Sequence, residues 1–195
     1  MRVRYPLGME ALDRRRMTYE EYLAFERASE TKHEYVNGEV FAMAGGTREH
    51  ARLAARLIGQ LERALEGKPC ATFTSDVRVR VEATGRSTYP DVTVVCGKVE
   101  ASTVDEDAIT NPTVLVEVLS PSTEKDDRTD KWAHYRRLPS LREFVLVASE
   151  EHRVEVYRRE ERGWHYLELT TGTLELASIG AVIDLGALYR DPTAA

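Results

Sequence analysis

Two short segments decide the fold of this chain: YPD (residues 89–91) and the apolar run VLVEVL (residues 114–119), whose glutamate lies 26 positions after Asp91. A strand this apolar is typical of a position that is buried on both faces. Glu117 stands in its middle, and a buried carboxylate is costly unless a partner compensates it. We therefore predict that Asp91 and Glu117 are the two halves of a metal site.

The bulk properties of the 195-residue chain indicate one domain, because 42% hydrophobic residues can supply one good core. The net charge of −6 argues against indiscriminate coating of nucleic acid, but it allows a local basic groove. Two cysteines, Cys70 and Cys96, predict no disulfide framework and fit a reducing cytoplasm. No segment resembles a membrane span or a signal peptide, so we expect a cytoplasmic protein with no membrane partner.

Local patterns predict a helix and a hairpin ahead of the core. Residues 1–16 have little periodicity and are predicted to form a mobile arm. Thr18 and Glu21 form a capping-box pattern, which opens a helix to about residue 28. Asn37-Gly38 joins two strand-like segments and favours a type I′ turn, so a β-hairpin is predicted.

The core is predicted over residues 48–148. Apolar residues follow helical spacing from Arg48 to Leu65. The predicted elements that follow are strands at 71–82, 88–96 and 113–119, a polar loop at 98–111, a helix at 127–138 and a strand at 142–148. Beyond these, residues 152–189 are predicted to form a hairpin around 161–163, more strand and a short helix, and 190–195 a tail.

This order of elements, with Asp91 on the second core strand and Glu117 on the third, resembles the PD-(D/E)XK nuclease superfamily, which has the restriction endonuclease-like fold. More narrowly, the chain resembles the Uma-type family of endonuclease-like, uncharacterised proteins. The segments that carry this resemblance are HEYVNGEV (33–40), Gly46 with His50, SDVRV (75–79), YPDV (89–92), EVLSPST (117–123), Asp127-Arg128, Lys131 and Tyr135. The resemblance implies one α/β (α+β) domain over residues 17–189. It has an αβββαβ core, a mixed sheet flanked by helices, an N-terminal helix plus β-hairpin, and a C-terminal β extension.

The resemblance also implies an activity, which is metal-dependent endonuclease cleavage of DNA. Asp91 and Glu117 would hold Mg²⁺ or Mn²⁺ together with the backbone carbonyl of Val118, because these ions prefer oxygen ligands. Leu119 occupies the position where the superfamily places its lysine. Lys131, on the following helix, stands at the matching place for a relocated lysine.

Further residues are candidates for supporting roles. Glu34 and Asp76 are expected in an outer acidic shell, and Ser120, Ser122 and Tyr135 are expected to hold phosphate or to orient Lys131. His50 is a weaker candidate, because a histidine on an apolar helix face more often belongs to the core. The candidates for nucleic-acid binding are Arg78, Arg80 and Arg128, while Arg48, Arg52 and Arg56 form either a phosphate-tracking stripe or a solvated face.

Each assignment has a structural alternative. Asp91 could be a turn residue, Glu117 could form a buried ion pair with an arginine or with Lys131, and Lys131 could be exposed. Two other functions also fit the fold: a nucleic-acid-binding or regulatory protein that has lost cleavage, and a non-catalytic assembly module whose strands after residue 150 pair with a second copy. A homodimer is compatible with all three functions and does not distinguish them.

Overall fold

The computed structural model describes residues 16–43, 45–121 and 123–193. The α-helices are α1 Tyr19–Ala28, α2 Arg48–Leu65, α3 Glu124–Asp126, α4 Trp132–Tyr135 and α5 Leu185–Tyr189. The strands are β1 His33–Val36, β2 Glu39–Ala42, β3 Cys70–Thr74, β4 Arg78–Val81, β5 Arg86–Thr88, β6 Val92–Cys96, β7 Ala101–Ser102, β8 Asp105–Ile109, β9 Val114–Leu119, β10 Glu143–Ala148, β11 Val154–Glu160, β12 Gly163–Leu169, β13 Thr173–Leu176 and β14 Ala181–Asp184. A 3₁₀ turn covers Glu82–Thr84, and a π-helical turn, Asp127–Lys131, joins α3 to α4. None of the described helices is long and apolar enough to cross a membrane.

The sheet that carries Glu117 has the strand order β12-β11-β10-β9-β6-β3 and is called the first sheet. Strands β9 and β10 run parallel, and the other neighbours run antiparallel. Both faces of β9 are covered, because Val116 and Val118 pack with the leucines of α2, whereas Leu115 and Leu119 pack on the opposite face. This topology confirms the predicted mixed α+β class with helices flanking a mixed sheet.

The second sheet has the order β2-β1-β5-β4-β8-β7. Its residues Val79, Val81 and Ile109 share a core cluster with Leu115 of β9, and Tyr135 of α4 belongs to the same cluster. The second sheet and the helical segment 124–135 therefore cover the Glu117 side of the first sheet. Charged residues of β1 and β5 are thereby brought next to β9.

The helix and the hairpin predicted ahead of the core are confirmed, whereas the predicted mobile arm, residues 1–16, lies outside the described residues except for Arg16. The Thr18 hydroxyl accepts a hydrogen bond from the Glu21 amide, and the Glu21 carboxylate accepts one from the Thr18 amide, which completes the capping box of α1. Strands β1 and β2 form the predicted hairpin. Its turn requires left-handed backbone at Asn37 (φ 50°) and Gly38 (φ 96°), which these two residue types tolerate best.

Several predicted boundaries in the core are wrong. The strand predicted at 71–82 is divided into β3 and β4, which belong to different sheets, because a turn at 75–77 carries the chain across. The strand predicted at 88–96 is likewise divided, because Pro90 has no amide hydrogen to continue a ladder. The loop predicted at 98–111 contains β7 and β8, and the helix predicted at 127–138 covers 124–135 instead.

The prediction of two unlinked cysteines is also wrong. Cys70 and Cys96 are opposite each other in the β3–β6 ladder and form a disulfide. The register of β3 against β6 places the two cysteines opposite each other, and the number of cysteines in the sequence does not show this register. The argument from cysteines for a reducing compartment therefore falls away, and the cytoplasmic location stays a prediction.

Candidate active site

Asp91 is held at the start of β6 by the backbone of β9. The Val118 amide donates a hydrogen bond to Asp91 Oδ2 at 2.7 Å. The amide and carbonyl of one strand residue point toward the same neighbouring strand. The Val118 carbonyl is therefore directed to the side of β9 on which Asp91 lies.

Glu117 is buried, with only 4% of its side chain exposed. The Tyr135 hydroxyl donates a hydrogen bond to Glu117 Oε1 at 2.8 Å, and Lys131 Nζ lies 3.1 Å from the same oxygen. Burial, together with the charges of Asp127 and Asp91, raises the pKa of Glu117 well above its usual value although Lys131 opposes this shift. The negative charge of Glu117 is thus only partly compensated by the protein.

Lys131 reaches Glu117 from the π-helical turn. Its Nζ also lies 2.9 Å from Asp127 Oδ1 and 3.5 Å from Glu34 Oε1. Burial by itself would lower the pKa of Lys131, but these three carboxylates hold it well above its usual value, so the amine is charged. The alternative of an exposed helix lysine is wrong, and the π-helical geometry is frequent at functional sites.

Glu34 enters the cluster from β1 and is buried. Its Oε1 accepts a hydrogen bond from the Thr88 hydroxyl, and its Oε2 is 2.7 Å from Arg86 Nη2. Burial alone would raise the pKa of Glu34, but the charges of Lys131 and Arg86 and the Thr88 hydrogen bond lower it to about 2. Glu34 is therefore ionised and contacts Lys131 directly.

Sequence reasoning gave no role in the site to four residues of this cluster, Arg86, Asp126, Asp127 and Asp130, although Asp127 belongs to a segment that carries the family resemblance. Arg86 is 1% exposed and contacts Glu34, Asp126 and Asp130. The acidic residues alternate with Arg128 and Lys131 in the sequence, a pattern usually typical of a solvated helix. The sequence of β5, Arg86–Thr88, is too short to show a pattern from which the burial of Arg86 could be predicted.

His50, at the start of α2, belongs to the site. Its Nε2 lies 3.1 Å from Asp91 Oδ2, and the hydrogen bond with Asp91 raises the pKa of His50 above its usual value. The ring is packed against Gly46: a Cβ atom added at Gly46 would lie 2.8 Å from His50 Nδ1. The lack of a side chain at Gly46 is thus what allows His50 to take this place.

We expect Gly46→Ala to weaken the site without unfolding the protein, because the added methyl group displaces the His50 ring from Asp91. The affinity for Mn²⁺, measured by calorimetry, should fall by about tenfold. Loss of a residue that orients a metal ligand typically lowers metal affinity by about ten- to a hundredfold. Gly59→Ala is the matched control, because a Cβ atom at Gly59 meets nothing within 4 Å. Equal Mn²⁺ affinities in the two variants would show that His50 does not support Asp91.

The structure does not bring every predicted residue into the cluster. Asp76 is exposed and forms an ion pair with Lys32. The Ser120 hydroxyl lies beyond the end of β9, 3.0 Å from the Thr123 hydroxyl. Ser122 lies outside the described residues.

The predicted nucleic-acid-binding arginines all have partners within the fold. Arg78 forms a bidentate pair with Asp105, Arg80 lies over the Tyr19 ring at 3.6 Å, and Arg128 pairs with Glu124 and Glu155. Two members of the α2 stripe also have structural roles. Arg52 donates to the carbonyls of Tyr189 and Arg190, and Arg56 donates to that of Ala187, so they bind the C-terminal helix.

The charge balance of the cluster fits a hard divalent cation. Its carboxylates are Glu34, Asp91, Glu117, Asp126, Asp127 and Asp130, against the cationic side chains of Arg86 and Lys131 and the imidazole of His50. Within the described ranges no three His, Cys, Asp or Glu side chains form a ready-made metal cluster. A cation here would be held by Asp91, Glu117, the Val118 carbonyl and water, which is a donor set that Mg²⁺ accepts.

A mixed sheet with an aspartate before one strand and a glutamate within its neighbour is consistent with the restriction endonuclease-like fold; here a lysine from the following helical segment lies beside the glutamate. The Uma2 family, described as "Putative restriction endonuclease", matches residues 19–185, and the chain belongs to this family.

Two relatives and one solved structure are similar to the chain. Two uncharacterized proteins of Synechocystis sp., slr1290 and sll1609, are 35% and 32% identical to the chain; the matches cover 90% and 82% of the chain and 92% and 91% of the relatives. The fold matches the crystal structure of "a putative nuclease belonging to DUF820" from Anabaena variabilis with a TM-score of 0.72 at 18% identity, covering 89% of this chain and 97% of that one. At this identity the structural match shows the fold.

Proposed function

We propose that this protein is a metal-dependent endonuclease that hydrolyses phosphodiester bonds in DNA. Asp91, Glu117 and the Val118 carbonyl would bind Mg²⁺ or Mn²⁺. When bound, such an ion supplies Lewis-acid assistance, which makes water a better nucleophile and offsets the charge of the scissile phosphate. The ligands come from neighbouring strands of a rigid sheet, which favours a fixed geometry.

Lys131 is the proposed electrostatic catalyst. Its amine is charged and is held between Glu117, Asp127 and Glu34, so its position is defined before substrate binds. A preorganised cation of this kind stabilises negative charge that develops on the phosphate in the transition state. The observation that carries the proposal is this contact of Lys131 with the strand carboxylate, because it supplies the third member of the superfamily pattern that Leu119 cannot provide.

The remaining residues would hold these groups in place. Tyr135 donates to Glu117 and His50 contacts Asp91, so each proposed metal ligand has its own partner. Such partners orient ligands and tune their affinity for the ion. Double-strand cutting by this fold usually uses two active sites, which is the reason to expect a homodimer.

Calorimetric titration of Mn²⁺ tests the metal site without any substrate. We expect saturable binding to the wild-type protein and its loss in Glu117→Gln, which keeps the shape of the side chain but removes its charge. Glu143→Gln is the matched control, because Glu143 is a fully buried glutamate of the same sheet that pairs with Arg158. Equal Mn²⁺ affinity in wild type and Glu117→Gln would contradict the proposed site.

Cleavage is tested separately, with supercoiled plasmid DNA in Mg²⁺ or Mn²⁺. Nicked and linear products that disappear in Asp91→Asn and Glu117→Gln would support an endonuclease. Binding of DNA without cleavage would favour the alternative, a nucleic-acid-binding protein of the same fold. That alternative is motivated by Leu119 at the usual lysine position.

A further inference from the structure

Arg86 is a fully buried cation that the proposed chemistry does not use. Its side chain is 1% exposed, and its guanidinium contacts three carboxylates: Glu34 at 2.7 Å, Asp126 at 3.1 Å and Asp130 at 2.5 Å. A buried ion pair contributes little net stability compared with well-packed apolar residues, because both charges must be desolvated. The other contacts of the three carboxylates point to a role for Arg86 beyond stability.

Two of these carboxylates belong to the helical segment that presents Lys131. Asp126 and Asp130 are four residues apart and both contact Arg86. The next residue after each one, Asp127 and Lys131, forms the ion pair beside Glu117. The π-helical turn thus directs one pair of residues to Arg86 and the adjacent pair to the metal site.

The third carboxylate connects Arg86 to Lys131 by a second route. Glu34 Oε2 contacts Arg86, and Glu34 Oε1 lies 3.5 Å from Lys131 Nζ. Arg86 lies on β5 of the second sheet, whereas Glu117 lies on β9 of the first. Arg86 is therefore placed to fix the helical segment relative to the second sheet, while Lys131 of that segment contacts Glu117 of the first sheet.

We propose that Arg86 is a positioning residue: it holds the π-helical turn in the register that places Lys131 against Glu117. The catalytic consequence rests on the proposed function, whereas the structural consequence, the placement of Lys131, does not. π-Helical turns are rare, and they occur mostly as single turns, frequently at functional sites. The paired contacts of Arg86 with Asp126 and Asp130 stabilise this one.

The test compares Arg86→Lys with Arg158→Lys. Both changes keep the positive charge and remove the planar guanidinium fork, whose fixed arrangement of donors an ammonium does not reproduce. Arg158 pairs with the buried Glu143 at 2.9 Å and contacts no member of the active-site cluster in the described structure. Thermal melts of both variants report the loss of stability that any broken buried pair produces.

Chemical acetylation of lysines followed by mass spectrometry measures how accessible the Lys131 amine is, and it does not require the protein to be active. Lys131 is buried in the wild type, and Lys125 on the same segment is exposed and serves as the internal reference. We expect acetylation of Lys131 relative to Lys125 to rise severalfold in Arg86→Lys and to stay at the wild-type level in Arg158→Lys. Equal acetylation of Lys131 in the two variants would overturn the proposal.

DNA cleavage gives the second readout. Misplacement of a catalytic group can reduce rates up to about a hundredfold, so we expect kcat of Arg86→Lys to fall by about ten- to a hundredfold. KM should change by less than about twofold, because substrate contacts are retained. An active Arg86→Lys enzyme with the kcat of Arg158→Lys would also overturn the proposal. A wild type without cleavage would contradict the proposed function, and the acetylation result would then decide the positioning role by itself.

A milder variant keeps the test decisive if Arg86→Lys does not fold. Asp130→Asn removes one Arg86 contact at a side chain that is 33% exposed, so its folding cost is smaller. We expect the same direction of change in Lys131 acetylation. Unchanged acetylation in this folded variant counts against the proposal.

Discussion

Glu117→Gln is expected to make the protein more stable at neutral pH while it abolishes Mn²⁺ binding. The buried carboxylate is disfavoured in its charged form, as the raised pKa indicates, and glutamine removes that charge with little change in shape. Removal of a destabilising buried charge should raise the free energy of unfolding by about 1–2 kcal/mol, as single stabilising substitutions commonly do. For a chain of this size, this corresponds to a rise in Tm of about 2–8 °C.

The pH dependence of the Tm difference between Glu117→Gln and wild type distinguishes removal of a buried charge from improved packing. Glu117 has a folded-state pKa above its ordinary value of 4.5, so its ionisation costs stability as the pH rises beyond that value. The difference in Tm between Glu117→Gln and wild type should therefore be small in acid and should increase toward neutral pH. Thermal melts without divalent cation over a pH series measure it.

The control for this prediction is Glu143→Gln. Glu143 is equally buried but bonds Arg158 and Ser178, so its loss should lower the Tm. Added Mn²⁺ should stabilise wild type and Glu143→Gln but not Glu117→Gln, because only a bound ligand shifts the unfolding equilibrium. If Glu117→Gln has a lower Tm than wild type at neutral pH, the Glu117 carboxylate does not destabilise the fold and the prediction is wrong.

Lys131→Met is expected to have the opposite and larger effect. It leaves Glu117, Asp127 and Glu34 without the cation that they share. Removal of one partner of a buried ion pair costs about 3–5 kcal/mol. The Tm should fall by about 10 °C, and kcat for DNA should fall about 10²- to 10³-fold.

The double variant tests whether these two effects share one cause. Lys131→Met should cost less stability in a Glu117→Gln background, because one of the stranded carboxylates is then absent; a double-mutant cycle measures this coupling. Lys125→Met, at an exposed position of the same segment, is the control and should leave the Tm nearly unchanged. Additive Tm changes for Lys131 and Glu117 would show that their 3.1 Å contact carries no coupling energy.

The local elements could be predicted from the sequence because their signals are short-range. The Asn37-Gly38 turn, the Thr18 capping box and the leucine spacing of α2 each depend on residues within a few positions. The strand boundaries between 71 and 109 were predicted poorly. Alternating residues identify a strand, but they do not show that β3 and β4 belong to different sheets.

By itself, the sequence determined the apolar strand around Glu117, the aspartate after Pro90 and the family resemblance that links them to Lys131. Only the tertiary structure decided which charges meet. Arg86 is 52 residues from Glu34 and 44 from Asp130, and Cys70 is 26 from Cys96. These partners become neighbours through strand register and sheet packing, whose long-range contacts leave no local pattern in the sequence. The acidic and basic residues at 126–131 have a sequence pattern typical of a solvated helix. In the folded protein they are brought together with Arg86, Glu34 and Glu117 and form one charge cluster.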